Sequence, residues 1–402
     1  MSVLPLAGVR VLDLSSVIAG PLCSFQLALL GAEIIKVEVP GIGDIARRLG
    51  GDPELSARQM GVSFLSNNAG KKSITLDLKQ PAGLEILGRL LERCDVLLEN
   101  FRPGTMQRLG FGYDTARRIK PGIVWCSISG FGQYGPLASR PAYDQIVQGY
   151  CGLMANTGTR ETSPVRAGYQ VCDSTAAIVA AFAIAAGLYK RAVRGEGEFI
   201  DVSMLDASLS TMPSWPISNY LNAGKPPSPM GNDNPASSPS GAFRARDGVI
   251  NIVANDQRQY EALCDALDAP ELKADPRFVD RPTRVVHREA LREGLEAKLA
   301  AWTVAELDAM LAAVGVPAGP ILSLPQVLAH PQVAARELLK TFPPNEVVDR
   351  PFTVHRAGFR LGGAQPDVDL PPPMLGEHTD EVLQTLGYDP ARIAALRAQR
   401  VV

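Results

Sequence analysis

Apolar positions in the first third of the chain fall into short runs separated by longer stretches with helical spacing. Residues 9–14 (VRVLDL), 34–39 (IIKVEV), 73–78 (SITLDL), 95–99 (DVLLE) and 123–128 (IVWCSI) have the length and the Val, Ile and Leu content of buried strands. Between them, residues 23–30 (CSFQLALL) and 83–93 (GLEILGRLLER) read as helices. Strand, helix and strand in that order form βαβ units, whose crossovers require a parallel sheet. The pattern predicts a doubly wound α/β domain over roughly the first 200 residues, bounded at 1–212. Within it, the Ala-rich stretch 176–188 (AAIVAAFAIAAGL) is shorter than the ~20 residues of a membrane span and predicts a buried helix.

The pattern changes at residues 213–239, where seven prolines stand among Ser, Asn and Gly. That composition predicts a linker, placed at 213–240. A smaller α/β unit is expected at 241–325, with a strand at 248–254 and helices at 257–267, 288–302 and 304–314. The remaining segment, 326–402, is again rich in proline until a helix near 379–386. It is expected to return to the large domain and wrap over it or over a partner.

Charge adds an exclusion. Lys plus Arg number 40 against 42 Asp plus Glu in 402 residues. No field of one sign directs the protein toward nucleic acid or an anionic membrane, so an anionic ligand must meet local basic groups. The six cysteines are scattered without a C-x-x-C pair, which predicts reduced thiols, a cytoplasmic protein and no zinc site. The first 16 residues lack the charge and apolar core of a signal peptide. All four histidines lie at or beyond position 287, so an N-terminal site must run without imidazole.

Two nucleotide motifs fail. The first strand runs into Ala19-Gly20-Pro21 instead of G-x-G-x-x-G, and Gly70-Lys71-Lys72-Ser73 is followed by a strand and lacks the leading glycine of a P-loop. Two acids merit chemical attention. Asp173 precedes the Ala-rich stretch, where it is expected to cap the helix; the amides and dipole there would keep a nucleophilic carboxylate ionised. Asp144 follows a glycine-rich loop, 129–136 (SGFGQYGP), whose backbone can approach a ligand closely or form a plain surface turn. Lys36, Arg47, Arg48, Lys71, Lys72, Lys79, Arg102 and Arg108 recur near strand ends. Most are expected to be solvated surface charges, with a subset at the ligand-binding edge of the sheet.

Taken in order, LAGVRVLD (6–13), AGP (19–21), GAEIIKVE (31–38), Gly43-Asp44, KSITLDLK (72–79), DVLLENFRPG (95–104), the 129–136 loop, RPAYD (140–144) and GEHT (376–379) resemble the class III coenzyme A transferases, to which 2-methylacyl-CoA racemases are related. The resemblance spans nearly the whole chain. It implies a Rossmann-like large domain, a small domain and an interlocked homodimer. It further implies that CoA moves from an acyl-CoA donor, for instance succinyl-CoA, to a small carboxylic or dicarboxylic acid. Asp173 would be the nucleophile and Asp144 an assisting acid. Leu76, Lys79, Asn100, Phe101 and Arg108, with Gly130 and Phe131 of the loop, would contact CoA. CoA and acyl-CoA enter as substrates, with no prosthetic group or metal expected, and neither nucleic acid nor membrane as partner.

Three departures qualify these expectations. Val39 and Ile18 stand where formyl-CoA transferases place polar CoA contacts, so the nucleotide end would be met by other groups. The loop at 231–241 (GNDNPASSPSG) lacks the glycine run of the oxalate enzymes, which argues against formyl-CoA and oxalate. The racemases carry a histidine immediately before the acid matching Asp144, where this chain has Tyr143. A CoA-ester racemase and a non-catalytic acyl-CoA binder are the alternatives.

Overall fold

A computed structural model describes residues 4–402. The chain forms two compact units: residues up to 152 with 167–226 and 331–402, and residues 153–166 with 227–330. Both the segment 153–166 and the division at 226/227 differ from boundaries drawn on composition. Residues within the proline-rich stretch are ordered elements of the first unit, at Pro213–Ser218 and Asn219–Ala223. Proline marks where regular helix is difficult to extend, and chain packing decides which body holds the segment.

The first unit is built on six parallel strands: β1 (Arg10–Asp13), β2 (Glu33–Glu38), β3 (Lys71–Thr75), β4 (Val96–Glu99), β5 (Val124–Ser129) and β6 (Glu198–Ser203). Their order, β3-β2-β1-β4-β5-β6, is that of a doubly wound dinucleotide-type sheet. Four of the first five match the runs read from sequence to within a residue; β3 starts two residues before the run read at 73–78 and ends at Thr75, with 76–78 in the loop that follows. β6 (EFIDVS) does not announce itself, because Glu198 and Asp201 interrupt its apolar pattern. Both acids have local partners: Lys190 lies 2.7 Å from Glu198, and the Gln133 amide donates to Asp201 at 2.9 Å.

Parallel strands are covered on both faces, so their middles are apolar and their polar residues collect at the ends. Leu12, Ile74, Leu97 and Trp125 lie in the core beneath the helix Pro81–Arg93, which buries Ile86, Leu87, Leu90 and Leu91 at helical spacing. Asp13, Glu38, Glu99 and Ser129 lie at carboxyl ends of strands and are also buried. Open α/β sheets bind ligands at this edge.

The Ala-rich segment forms a 24-residue helix, Val171–Arg194, ended by Gly195 in the left-handed conformation (φ 72°). It is longer than expected and only one stripe of it is buried: Cys172, Ala176, Ala177, Ala180, Ile184 and Gly187. A side chain at Gly187 would come within 3.0 Å of Val124, so glycine lets the helix lie close on β5. The opposite stripe leaves Ile178, Phe182, Tyr189 and Val193 between 53% and 76% exposed, correcting the expectation of a buried helix. By length and composition the helix is long and apolar enough to cross a membrane.

Residues 331–402 complete this unit. After a hairpin, Leu339–Phe342 with Phe352–His355, the helices Thr379–Thr385 and Pro390–Ala398 follow, only the first of which the sequence pattern revealed. They fasten to β3 and the loop after it: the His378 amide donates to the Ser73 carbonyl at 2.8 Å, and the Asp77 amide to the Val401 carbonyl at 2.8 Å.

The second unit has its own antiparallel sheet, β7 (Ser240–Arg244), β8 (Val249–Val253) and β9 (Ala318–Pro320), and three main helices, Gln257–Ala266, Arg288–Leu299 and Val304–Ala313. Asp256 and Thr303 start the first and third with capping boxes closed by Gln259 and Glu306. Leu263, Leu291, Leu295 and Leu307 meet Ile250 and Ile252 in a separate core. Fully buried Arg284 lies over the Tyr260 ring and donates to the carbonyls of Ser238 and Phe278.

Candidate active site

The site grows from the turn after β1. At Gly20 an added Cβ would sit 2.1 Å from that of Ser15, so the following helix, Ala19–Leu29, starts too close to the turn for any side chain. Glycine performs its close-approach role here without a dinucleotide fingerprint. Val17, in the same turn, has φ 70°, a conformation that β-branched residues rarely adopt. Such strain persists only where surrounding bonds over-determine it. They do so here: Asn100 clamps Ser16 from both sides, accepting from its amide at 2.9 Å and donating to its carbonyl at 2.8 Å, and the Val17 amide donates to Asp44 at 3.0 Å.

Beneath the turn lies a network of buried ions. Lys36 bonds the Ser15 carbonyl at 2.7 Å and Asp44 at 3.0 Å; Lys71 lies 3.3 Å from Asp13 and donates to the Pro21 carbonyl and Asn68. Arg47 holds Glu38 through two 2.7 Å bonds, and Ser73 donates to the same carboxylate. Lys36, Arg47 and Lys71, expected to be either solvated surface charges or ligand contacts, are neither: they are fully buried and held by the acids beside them. Burial acts to raise the Asp13 carboxyl, but Lys71 and Lys36 outweigh it and hold it below its ordinary value. Burial also lowers Lys71 to about 8. Glu99, just before Asn100, is raised to about 7, chiefly by burial.

Two cavities open over this platform. A cleft of about 1000 Å³ is lined by Leu76, Lys79, Phe101, Val39, Arg397 and Arg400 among others. A pocket of about 190 Å³ is lined by Asn100, Phe101, Gly130, Arg102, Arg140 and Asp173, with Met204 on its wall. Ser16 and Phe101 belong to both linings, so the two spaces adjoin at the strained turn. The larger suits an extended nucleotide-bearing ligand, the smaller a short acyl group. Gly130 admits no side chain, since a Cβ there would lie 2.4 Å from that of Ala142.

The cap of the long helix differs from expectation. Gln170 is the N-cap residue and Asp173 lies inside the first turn. The capping carboxylate is that of Asp144, which accepts from the amides of Cys172 at 2.8 Å and Asp173 at 3.2 Å while Gln148 donates to its other oxygen. Asp173 is therefore free to present its carboxylate to the pocket. Its acidity also departs from the sequence reading: burial first, and the Asp144 charge second, raise it to about 7.

Of the residues singled out from sequence, Leu76, Lys79, Asn100, Phe101, Gly130 and Asp173 line one or both cavities. Asp144, Arg108 and Phe131 do not appear in either lining. Asp144 sits behind the pocket wall, Arg108 donates to Thr105 on the cleft rim at 2.8 Å, and Phe131 packs edge-on against Tyr150. Sequence reasoning missed Ser16, Val17, Arg140, Arg397 and Arg400. RPAYD contained Arg140, but nothing local distinguishes a pocket guanidinium from a surface one.

Comparisons with known proteins agree over nearly the full length. The model of the CoA-transferase family III matches residues 6–379. A mouse (Mus musculus) succinyl-CoA:glutarate CoA-transferase is 36% identical over 402 residues, covering 100% of this chain and 91% of its own. An acetyl-CoA:oxalate CoA-transferase of Acetobacter aceti is 39% identical over 336 residues, 83% of this chain and 85% of that one. A succinyl-CoA–D-citramalate CoA-transferase of Chloroflexus aurantiacus is 34% identical, covering 99% and 98%. Among solved structures, a CaiB/BaiF family protein from Brucella suis superposes with a TM-score of 0.82 at 34% identity, over 95% of this chain and 99% of that one. With its doubly wound sheet and adjoining cavities at the sheet's carboxyl edge, the chain belongs to the family III CoA-transferases.

Proposed function

We propose that this acyl-CoA:carboxylate CoA-transferase uses Asp173 as its covalent carrier, with succinyl-CoA as donor and a short dicarboxylic acid as acceptor. The observation that carries the reading is the half-buried Asp173 carboxylate in a small pocket adjoining a cleft large enough for CoA. An Asp173 oxygen attacks the thioester carbonyl carbon; the C–S bond breaks and CoA thiolate leaves, giving a mixed anhydride. The thiolate attacks the aspartyl carbonyl of that anhydride, expelling the donor carboxylate and leaving an aspartyl-CoA thioester. The acceptor carboxylate attacks this thioester, CoA thiolate leaves again, and its attack on the acceptor's acyl carbon releases the new acyl-CoA and regenerates Asp173. Each exchange preserves the donor's activation, so the protein must hold the thiolate near and exclude water.

The acceptors named for the relatives above, glutarate, oxalate and citramalate, are all dicarboxylic acids. An acetyl-CoA:oxalate CoA-transferase is among the similar proteins, so oxalate belongs among the acids to test despite the missing glycine run. Arg102 and Arg140 form no ion pair among the described residues and give the pocket a positive edge for an incoming carboxylate. An interlocked homodimer completes the reading, its supporting feature being the exposed apolar stripe of the helix Val171–Arg194.

Intact-protein and peptide mass spectrometry after mixing with succinyl-CoA tests the carrier. The wild type should acquire a hydroxylamine-sensitive CoA adduct on the peptide containing Asp173. Asp173→Ala should acquire none and should lose exchange by a factor of about 10⁴ or more. Substantial residual exchange in that variant overturns the assignment.

A further inference from the structure

Resting on the reading of this protein as a CoA-transferase, we propose that Arg400, from the segment after the last helix, is a phosphate-binding residue for the nucleotide end of CoA. The large cleft has an apolar wall, which includes Val39, a position where the family resemblance leads one to expect a polar group. Val39 and Ile42 line it and are 48% and 55% exposed. A CoA nucleotide carries several phosphate charges, which that wall cannot answer. The buried cations below are committed: Lys36 to Asp44 and Arg47 to Glu38.

The cations left in the cleft lining are Lys79, Arg397 and Arg400. Arg397 is paired with Asp380. Lys79 and Arg400 form no ion pair among the described residues, and both are exposed. Arg400 is also held in place. Its backbone is in the left-handed region, φ 56°, which is uncommon for a residue with a side chain. Bonds on both sides fix it there: its amide donates to the Arg397 carbonyl at 3.0 Å and the Gln80 side chain to its carbonyl at 3.1 Å. The next residue accepts from the Asp77 amide at 2.8 Å. Thus the segment is stitched to 77–80, the loop that carries Lys79. These bonds fix the backbone from which the unpaired guanidinium reaches the cleft, and its planar fork suits phosphate.

The test compares ligands that share the thiol arm and differ in the phosphates. CoA and pantetheine are titrated calorimetrically into the wild type and Arg400→Gln, and initial rates are measured with succinyl-CoA and S-succinylpantetheine. For the wild type, CoA should bind far more tightly than pantetheine. Arg400→Gln should weaken CoA and raise the KM for succinyl-CoA roughly tenfold or more, with pantetheine affinity and the S-succinylpantetheine rate unchanged; Arg400→Lys should recover part of the loss. If Arg400→Gln retains full preference for CoA, or weakens both ligands equally, the assignment to Arg400 is wrong while the transferase reading stands. A wild type that does not prefer CoA over pantetheine overturns the CoA cleft itself.

Discussion

At Asp173 the structure places the proposed nucleophile in surroundings that oppose its charge. Folding raises its carboxyl from an ordinary value of 3.8 to about 7. Between those values the folded chain binds a proton that the unfolded chain has released, so this residue's contribution to stability declines as pH rises from about 4 to 7. Asp173→Asn removes the penalty. Its melting temperature should exceed that of the wild type at pH 8 and approach it at pH 4, measured by calorimetry; equal differences at both pH values would refute the linkage. The same titration governs attack, because only the carboxylate is nucleophilic. In the wild type, kcat/KM should rise close to tenfold per pH unit below about 7. Asp144→Asn, which removes the neighbouring charge but keeps an oxygen for the helix amides, should move that midpoint downward.

Among the elements, the turn between β1 and the helix Ala19–Leu29 depends on ions contributed by three strands. Lys36 on β2 serves both the Ser15 carbonyl and Asp44, the acid that receives the Val17 amide. Replacing it by methionine strands the Asp44 charge in a site closed to water. Lys36→Met should cost about 3–5 kcal/mol in urea unfolding, and a variant that lost under 1 kcal/mol would contradict the network's role. The sequence displayed five of the six strands, since each has Val, Ile or Leu concentrated in a run of strand length. It could not display the network, because Lys36, Arg47 and Lys71 look like any lysine or arginine beside a strand. Only the spatial order of β3, β2 and β1 makes them neighbours of acids. The cap was hidden for a similar reason: Asp173 has the right local context, yet the carboxylate that reaches the amides comes from Asp144, 29 residues earlier.

In the complete molecule, the long helix carries two apolar stripes, one on the sheet and one outward. Ile178, Phe182, Tyr189 and Val193 together form a surface that water solvates poorly. Under the proposed homodimer this stripe is covered by a second copy. Phe182→Glu should reduce the mass found by light scattering from twice 42.9 kDa toward that of one chain, and a wild type that is already monomeric would dispose of the dimer. The resemblance suggested that assembly, whereas hydrophobic periodicity alone suggested only a buried helix. Periodicity reports that a face avoids water without saying what shields it. The division between units was obscured in the same manner, since residues 153–166 carry no compositional mark of the body they join.

The adjoining of the two cavities at Ser16 and Phe101 has a kinetic corollary. In the proposed cycle CoA is a leaving group twice and a nucleophile twice, and both acts occur beside the same short turn. A thiolate whose nucleotide remains anchored in the large cleft is a tethered reactant, and its local concentration exceeds that of free thiols in solution. Isotopically labelled CoA added during turnover should therefore enter the product more slowly than the acyl group is exchanged. The strained turn, rigid on its bed of buried ions, would then set how faithfully one molecule of CoA stays with one catalytic event.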